Sequence, residues 1–389
     1  MKAIQPADRL NSVSEYYFSK KLKEVAEMNA RGLNVISLGV GSPDLPPSDE
    51  TVAALSREAS LANAHGYQPY VGIPELRNAF AAWYKKWFGV ELDPVSEIQP
   101  LIGSKEGILH ISLAFLNPGD GVLVPNPGYP TYSSVSHLVQ AEVIPYDLDE
   151  NNGWQPDFEA LEQTDLSGVK LMWVNYPNMP TGASATPELF EKLIVFGKKH
   201  GIVICNDNPY SFILNDNRLS ILQVEGAKDI CIELNSMSKS HNMPGWRMGM
   251  LASNKVFVEW VLKVKSNIDS GQFKPMQMAA VAALNNSEEW HRRMNIDLYR
   301  NRRRLAEKIL TTLGCTFDPA QVGMFLWGKI PDKYADSGEL ADKVLYDANV
   351  FIVPGFIFGD KGKRYVRLSL CANDETLGKA LERVKGVTL

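Results

Sequence analysis

The sequence predicts an α/β protein built on a mostly parallel sheet with helices on both faces. Two observations carry this reading: short apolar strands recur along the chain with helix-length segments between them, and polar residues gather where those strands end. IQPLI, GVLVP, KLMWV, IVICND and ICIEL are the strands, and ILHISLAFL and PELFEKLIVFGKKHG are helix-length segments between them. Nearer the start, Leu76, Phe80, Trp83 and Trp87 of LRNAFAAWYKKW share one helical face, after the turn-like QPYVGIP. No repeat, low-complexity tract or long linker interrupts the alternation.

At 389 residues the chain is long enough for one large structural unit plus a smaller one. Its 45% hydrophobic and 22% charged residues suit a globular protein with a sizeable core. A net charge of −5 supplies no bulk basicity for a nucleic acid or an anionic membrane surface, so neither is expected as a partner. The arginines of HRRM and NRRR, between His291 and Arg304, read as a solvated helix face, because Met294, Ile296, Leu298 and Leu305 interleave with them. Cys205, Cys231, Cys315 and Cys371 are far apart and form no CxxC, which suggests reduced thiols in a cytoplasmic protein. The histidines make no HxxxH or HExxH pair, so no metal is expected. The opening MKAIQPADRLNSVSEYYFSKK lacks the apolar core of a signal peptide, and no window approaches a transmembrane span.

In sheets of this kind ligands bind beyond the carboxyl ends of the strands. This sequence places Gly103-Ser104-Lys105, Asn126 to Tyr132, Asn175 to Gly182, Asp207 to Tyr210 and Ser236 to Lys239 at such ends. GSKEG opens a helix, where backbone N–H groups bind anions; a Ser N-cap with Glu106 nearby gives the same pattern. Asp207 needs a cation or good hydrogen bonds to stay ionised, and a turn role before Asn-Pro is its ordinary alternative. Lys239 falls in the same crevice, and a lysine that attacks a carbonyl needs its pKa depressed by burial or by neighbouring cations. Arg247 is one such cation and also a fork for phosphate. With Ser236, and with Pro244-Gly245 turning the chain, these residues make an anion pocket that contains a nucleophile. The GVG of LGVGSPDLPP is no dinucleotide loop, since the prolines after it forbid the required helix.

The set SxSKxxxxPGWRxG, with DNPY, the PTG of NYPNMPTGA, PNPGYPTY and RLSL, resembles the class I/II pyridoxal-phosphate-dependent aminotransferases, the aspartate aminotransferase-like fold type I. The resemblance runs from LGVGSPDLPP to VRLSL, and IGSKEGILHISLAFLNPGDGVLVPNPGYPTY is especially similar to the branch that holds LL-diaminopimelate aminotransferases. It implies a large domain with a seven-stranded sheet over residues 46–280, an N-terminal arm and part of a small α+β domain over 1–45, and the rest of that domain over 281–389. It also implies pyridoxal 5'-phosphate as cofactor and a homodimer with active sites shared across the interface.

Carried onto this sequence, the resemblance gives Lys239 the Schiff base with the cofactor and the proton shuttle, and Asp207 the pyridinium nitrogen. Tyr129 would stack on the ring, and Tyr210 would hydrogen-bond its phenolic oxygen. Ser104, Lys105, Ser236 and Arg247 would hold the phosphate, and Tyr67 would reach the phosphate of the partner subunit's cofactor. Arg367 would clamp the substrate α-carboxylate, with the backbone of Gly41 beside it. One departure stands out: the family carries Asn immediately before PTG, and here the residue is Met179. Asn178 and Asn175 stand close by as candidates for that role, and Asn178 joins the expected cofactor-binding set.

The expected reaction is ping-pong transamination between an L-amino acid and a 2-oxo acid, with 2-oxoglutarate and glutamate as one pair. The alternatives are a lyase of the same fold that catalyses β-elimination and a non-catalytic ligand sensor. A dicarboxylate substrate needs a further cation, for which Arg9, Lys20, Lys21, Arg31 and Lys274 are the candidates; SEYYF and SNIDSGQFKP are expected to border the side-chain pocket.

Overall fold

The structure, a computed structural model, describes residues 4–12 and 17–387. Eight strands belong to its first two thirds: β1 (Ile36–Ser37), β2 (Ile98–Leu101), β3 (Gly121–Asn126), β4 (Glu142–Asp147), β5 (Val169–Val174), β6 (Val203–Asp207), β7 (Cys231–Ser236) and β8 (Gly249–Ala252). Four more follow: β9 (Phe325–Lys329), β10 (Val350–Phe351), β11 (Val353–Pro354) and β12 (Tyr365–Ser369). Seven strands form one sheet in the order β2-β8-β7-β6-β5-β3-β4. Neighbours pair in parallel from β7 across to β4, and β8 alone runs antiparallel to both of its neighbours.

β6 and β7 are buried along their whole length, and each opens on an apolar run before its polar carboxyl end. Glu233 lies in the middle of β7. Its carboxylate accepts hydrogen bonds from Tyr84 Oη (2.9 Å), Ser220 Oγ (2.7 Å), Asn206 Nδ2 (2.9 Å) and the Ile221 amide (3.1 Å). Burial raises the pKa of this carboxyl, and these four donors meet the requirement that a buried polar group be bonded.

The helices form where the sequence places them. Pro74–Phe88 buries Leu76, Phe80 and Trp83 and half-buries Trp87, and Gly89 ends it with φ 67°, a left-handed value that suits glycine. Pro187–His200 begins at Thr186, whose side chain accepts from the Leu189 amide, and stops at Gly201.

A smaller layer joins the two ends of the chain. β9, β11 and β12 make an antiparallel sheet in the order β11-β12-β9, and β1 pairs in parallel with β10. Helices Leu298–Thr312, Ser337–Ala348 and Asp374–Val384 bury Leu310, Leu345 and Leu377 in the same core. No helix among the described residues is long and apolar enough to cross a membrane.

The arginine-rich stretch corrects the expectation of one solvated helix face. The chain runs through a short helix (Glu288–His291), a π-helical segment (Arg292–Asp297) and then Leu298–Thr312. Arg292, Arg293, Arg300 and Arg304 are exposed, but Arg302 is buried and makes two parallel bonds to Asp44, of 2.7 and 2.9 Å, plus one to the Leu370 carbonyl. Arg302 therefore fixes the loop that contains Gly41.

Candidate active site

At the carboxyl ends of β2, β3, β5, β6 and β7 lies a cavity of about 440 Å3. Gly41, Ser104, Lys105, Tyr129, Asp207, Tyr210, Ser236, Lys239, Arg247 and Arg367 all line it, so the structure brings together ten of the twelve expected site residues. Asn178 and Tyr67 do not line it.

Lys239 sits in the short helix Met237–Ser240 directly after β7, and its Nζ donates to the Gly41 carbonyl. Burial depresses the pKa of this amine, and the charges of Arg367 and Arg247 push it the same way. A depressed pKa is what a lysine nucleophile requires.

Asp207 ends β6. Its Oδ2 accepts from Tyr132 Oη at 3.1 Å, while Oδ1 is buried with no hydrogen-bond partner among the described residues. Burial raises this carboxyl to about 6, against the opposing pull of Tyr132 and Ser104. Tyr132 is itself fixed by stacking on Trp173, with centroids 5.0 Å apart and planes 3° from parallel. Tyr132 was not among the expected site residues. The signal was present: it lies three residues after Tyr129, at the start of the Pro130–Leu138 helix, where that spacing shares a face.

An anion cradle faces these groups. Gly103, with φ 76°, is the N-cap of Ser104–Phe115, so the first amides of that helix are unpaired within it. A Cβ at Gly103 would stand 2.3 Å from Arg247 Nη2; only glycine allows the guanidinium to lie over this turn. Arg247 donates from Nη1 to the Pro244 carbonyl (3.0 Å) and from Nη2 to the Ile102 carbonyl (3.3 Å). Ser236 caps the Lys239 helix by accepting from the Ser238 amide at 3.2 Å.

Arg367 comes from β12, on the smaller layer. Its Nη2 donates to the Gly39 carbonyl (2.9 Å), its Nη1 meets Met179 Sδ (3.2 Å), and its guanidinium carbon lies 4.0 Å from the centre of the Phe325 ring. Nε has no partner among the described residues. Burial draws its pKa down to about 10, still charged at neutral pH. Burial also raises the pKa of the Tyr210 hydroxyl, which keeps it a donor.

The placement of Asn178 corrects the expectation for it. Its Nδ2 donates to the Asn175 carbonyl (3.1 Å), and its Oδ1 accepts from the amide and hydroxyl of Thr181 (3.3 and 2.7 Å), so the side chain is spent on its own turn. Asn175 does line the cavity, but its Oδ1 accepts from the Met179 amide (2.8 Å) and its Nδ2 donates to the Asp207 carbonyl. Met179 takes the cavity position instead.

Tyr67 is 95% exposed. None of Arg9, Lys20, Lys21, Arg31 or Lys274 lines the cavity, and Lys21 is bonded to Glu24 and Asp342. Of the aromatic residues in SEYYF, Tyr16 lies outside the described residues, Tyr17 packs edge-on against Phe356, and Phe18 borders the cavity. No residue of SNIDSGQFKP borders it, contrary to expectation.

These donors fit pyridoxal phosphate. A buried amine matches the aldehyde, an unpartnered carboxylate oxygen matches a ring N–H, and the Gly103–Arg247 cradle matches the phosphate.

The raised pKa of Asp207 has a signed consequence in ligand-free protein. The folded chain holds this proton more tightly than the unfolded chain, so its stabilising effect is full below 3.8 and is lost as pH rises through about 6. The melting temperature of Asp207→Asn should fall less across that window than that of the unaltered protein. Parallel curves for the two proteins would overturn the assignment.

Comparison with known proteins gives the same answer. The family profile Aminotransferase class I and II matches residues 34–384. The LL-diaminopimelate aminotransferase of Dehalococcoides mccartyi is 40% identical over 380 residues, 97% of each chain. That of Nitratidesulfovibrio vulgaris is 41% identical over 99% of each. Among solved structures, apo BacF from Bacillus subtilis has a TM-score of 0.94 at 35% identity, covering 100% of this chain and 99% of that one. A Thermus thermophilus aspartate aminotransferase single mutant has 0.92 at 26%, covering 99% and 100%. The chain thus belongs to the class I and II aminotransferases: it is a pyridoxal-phosphate-dependent enzyme of fold type I that transfers an amino group between an amino acid and a 2-oxo acid.

Proposed function

We propose that the amino donor is LL-diaminopimelate and the acceptor 2-oxoglutarate, and that the cavity residues act as follows. Lys239 would hold the cofactor through Nζ and, once the substrate's amino group has displaced it, the freed amine would carry the proton taken from the α-carbon. Asp207 holds the ring nitrogen through Oδ1, Tyr129 covers one ring face, and Tyr210 donates to the phenolic oxygen. Ser104, Lys105, Ser236 and Arg247 hold the phosphate. Arg367 grips the α-carboxylate, with Gly41 at its side. When bound, pyridoxal phosphate supplies an electron-withdrawing ring that accepts the electron pair left by the departing α-proton. The substrate is supported by one observation, 40% identity along nearly the whole chain to enzymes named for it.

A second substrate reading is an apolar or aromatic amino acid. Asp207 is the sole carboxylate among the described lining residues, so a distal ammonium group finds no counter-charge in one chain, while Phe18, Phe325 and Met179 offer apolar surface.

The same proposal includes a homodimer working in the cytoplasm. Tyr67 is exposed, as are Tyr70 and Phe273, which suits a residue that completes the partner's site, and the four free cysteines are buried.

A panel of amino donors with 2-oxoglutarate tests the substrate. LL-diaminopimelate should give the largest kcat/KM, with none for Lys239→Ala; phenylalanine or leucine in first place would replace it. Sedimentation should return two chains per particle at assay concentration, and a single chain would overturn the shared site. In holoenzyme, Met179→Asn adds a side-chain amide beside the cofactor's phenolic oxygen, so the pH midpoint of the visible absorbance change should move down. An unmoved midpoint would show that Met179 does not govern it.

A further inference from the structure

Behind the cavity, and not lining it, Lys265 is buried at 1% exposure where the Lys255–Lys265 helix ends. Its Nζ contacts Glu106 Oε1 at 2.7 Å and Asp269 Oδ2 and Oδ1 at 2.7 and 2.9 Å. Glu106, His110 and Asp269 stand close enough together to hold a metal ion, but the lysine ammonium already supplies a cation among them. Glu106 Oε1 also meets His110 Nε2 at 2.6 Å. Burial works against ionisation of Glu106, but its hydrogen bonds to His110, Asp269 and Lys265 prevail and hold the carboxyl at about 2.

The other oxygen of Glu106 reaches the cradle. Oε2 accepts from the Ile102 amide at 2.6 Å, and the Ile102 carbonyl accepts from Arg247 Nη2. One residue is thus gripped on both sides, two positions before the first amides of the Ser104–Phe115 helix. The segment that follows Lys265 returns to the same place: Gln272 Nε2 donates to the Arg247 carbonyl at 2.9 Å. Arg247 has φ 54°, uncommon outside glycine, and so needs its surroundings to hold it. Between the two anchors, Gly271 bridges to Gln68, where a Cβ would stand 2.4 Å from two carbonyl oxygens.

We propose that Lys265, Glu106, Asp269 and Gln272 are positioning residues that preset the phosphate cradle, so that affinity for the cofactor's phosphate depends on a charged cluster outside the cavity. This rests on the reading that Ser104, Lys105 and Arg247 hold that phosphate. Lys265→Met leaves Glu106 and Asp269 facing each other without a cation, and frees the Ile102 turn. Gln272→Leu removes one exposed contact and strands no charge, so it serves as the variant that keeps the fold.

The experiment titrates full-length apoprotein with pyridoxal phosphate, with pyridoxal and with inorganic phosphate, followed by absorbance or by competition. Both variants should bind pyridoxal phosphate and inorganic phosphate about tenfold more weakly, the upper end of what one ordinary hydrogen bond is worth, while pyridoxal binds unchanged. Unchanged phosphate constants in both variants, or equal losses for pyridoxal and its phosphate, would overturn the proposal. Arg247→Gln is measured alongside. If it too keeps full phosphate affinity, the cradle reading falls; if it alone loses affinity, the network falls and the cradle stands.

Discussion

An excess of positive charge around one cavity is the constraint on which the rest of this structure depends. Lys105, Lys239, Arg247 and Arg367 line the cavity against one carboxylate, Asp207. Buried cations such as Lys239 and Arg367 are unfavourable unless the fold holds them there or a ligand neutralises them. This fold holds them with main-chain carbonyls: Gly41 for Lys239, Gly39 for Arg367, and Pro244 and Ile102 for Arg247. The cavity thus presents Arg247 at one side and Arg367 at the other. The same field, added to burial, depresses the pKa of the Lys239 amine.

Asp207 answers that field in the opposite sense. Its carboxyl is raised because its burial outweighs the one tyrosine and one serine that favour its charge. A ring nitrogen that carries a proton would complete both its hydrogen bonding and its charge. Tyr132 and Trp173 make its position rigid, so the pairing geometry is set before a ligand arrives.

Much of this was legible in the sequence because strand ends keep their neighbours. Five buried strands read clearly, and the residues after them form the cavity. β4 and β8 did not read: β4 is an edge strand with mostly partly exposed residues, and β8 follows β7 without a helix-length segment between them. Asn178 and Arg302 were misread for one reason. A side chain's direction depends on the turn or helix face that carries it, and a motif gives the position without the direction. Arg302 lies in a run of surface charges yet turns inward, because Asp44 waits in a loop far away in sequence.

The reversed direction of β8 has a consequence for assembly. A parallel neighbour after β7 would need a crossover to the far end of the sheet, a dozen or more residues long. Because β8 runs back antiparallel, the connection from Ser236 to Gly249 never leaves the ligand end, and Lys239 and Arg247 both lie within it. Lys239 and Arg247 meet by closing one short loop, and loop-closure entropy grows with the length closed. Arg367 must instead be brought in from the distant end of the chain by the smaller layer. Two of the cavity's cations are thus local in sequence to the β7–β8 pair, while Arg367 comes from β12.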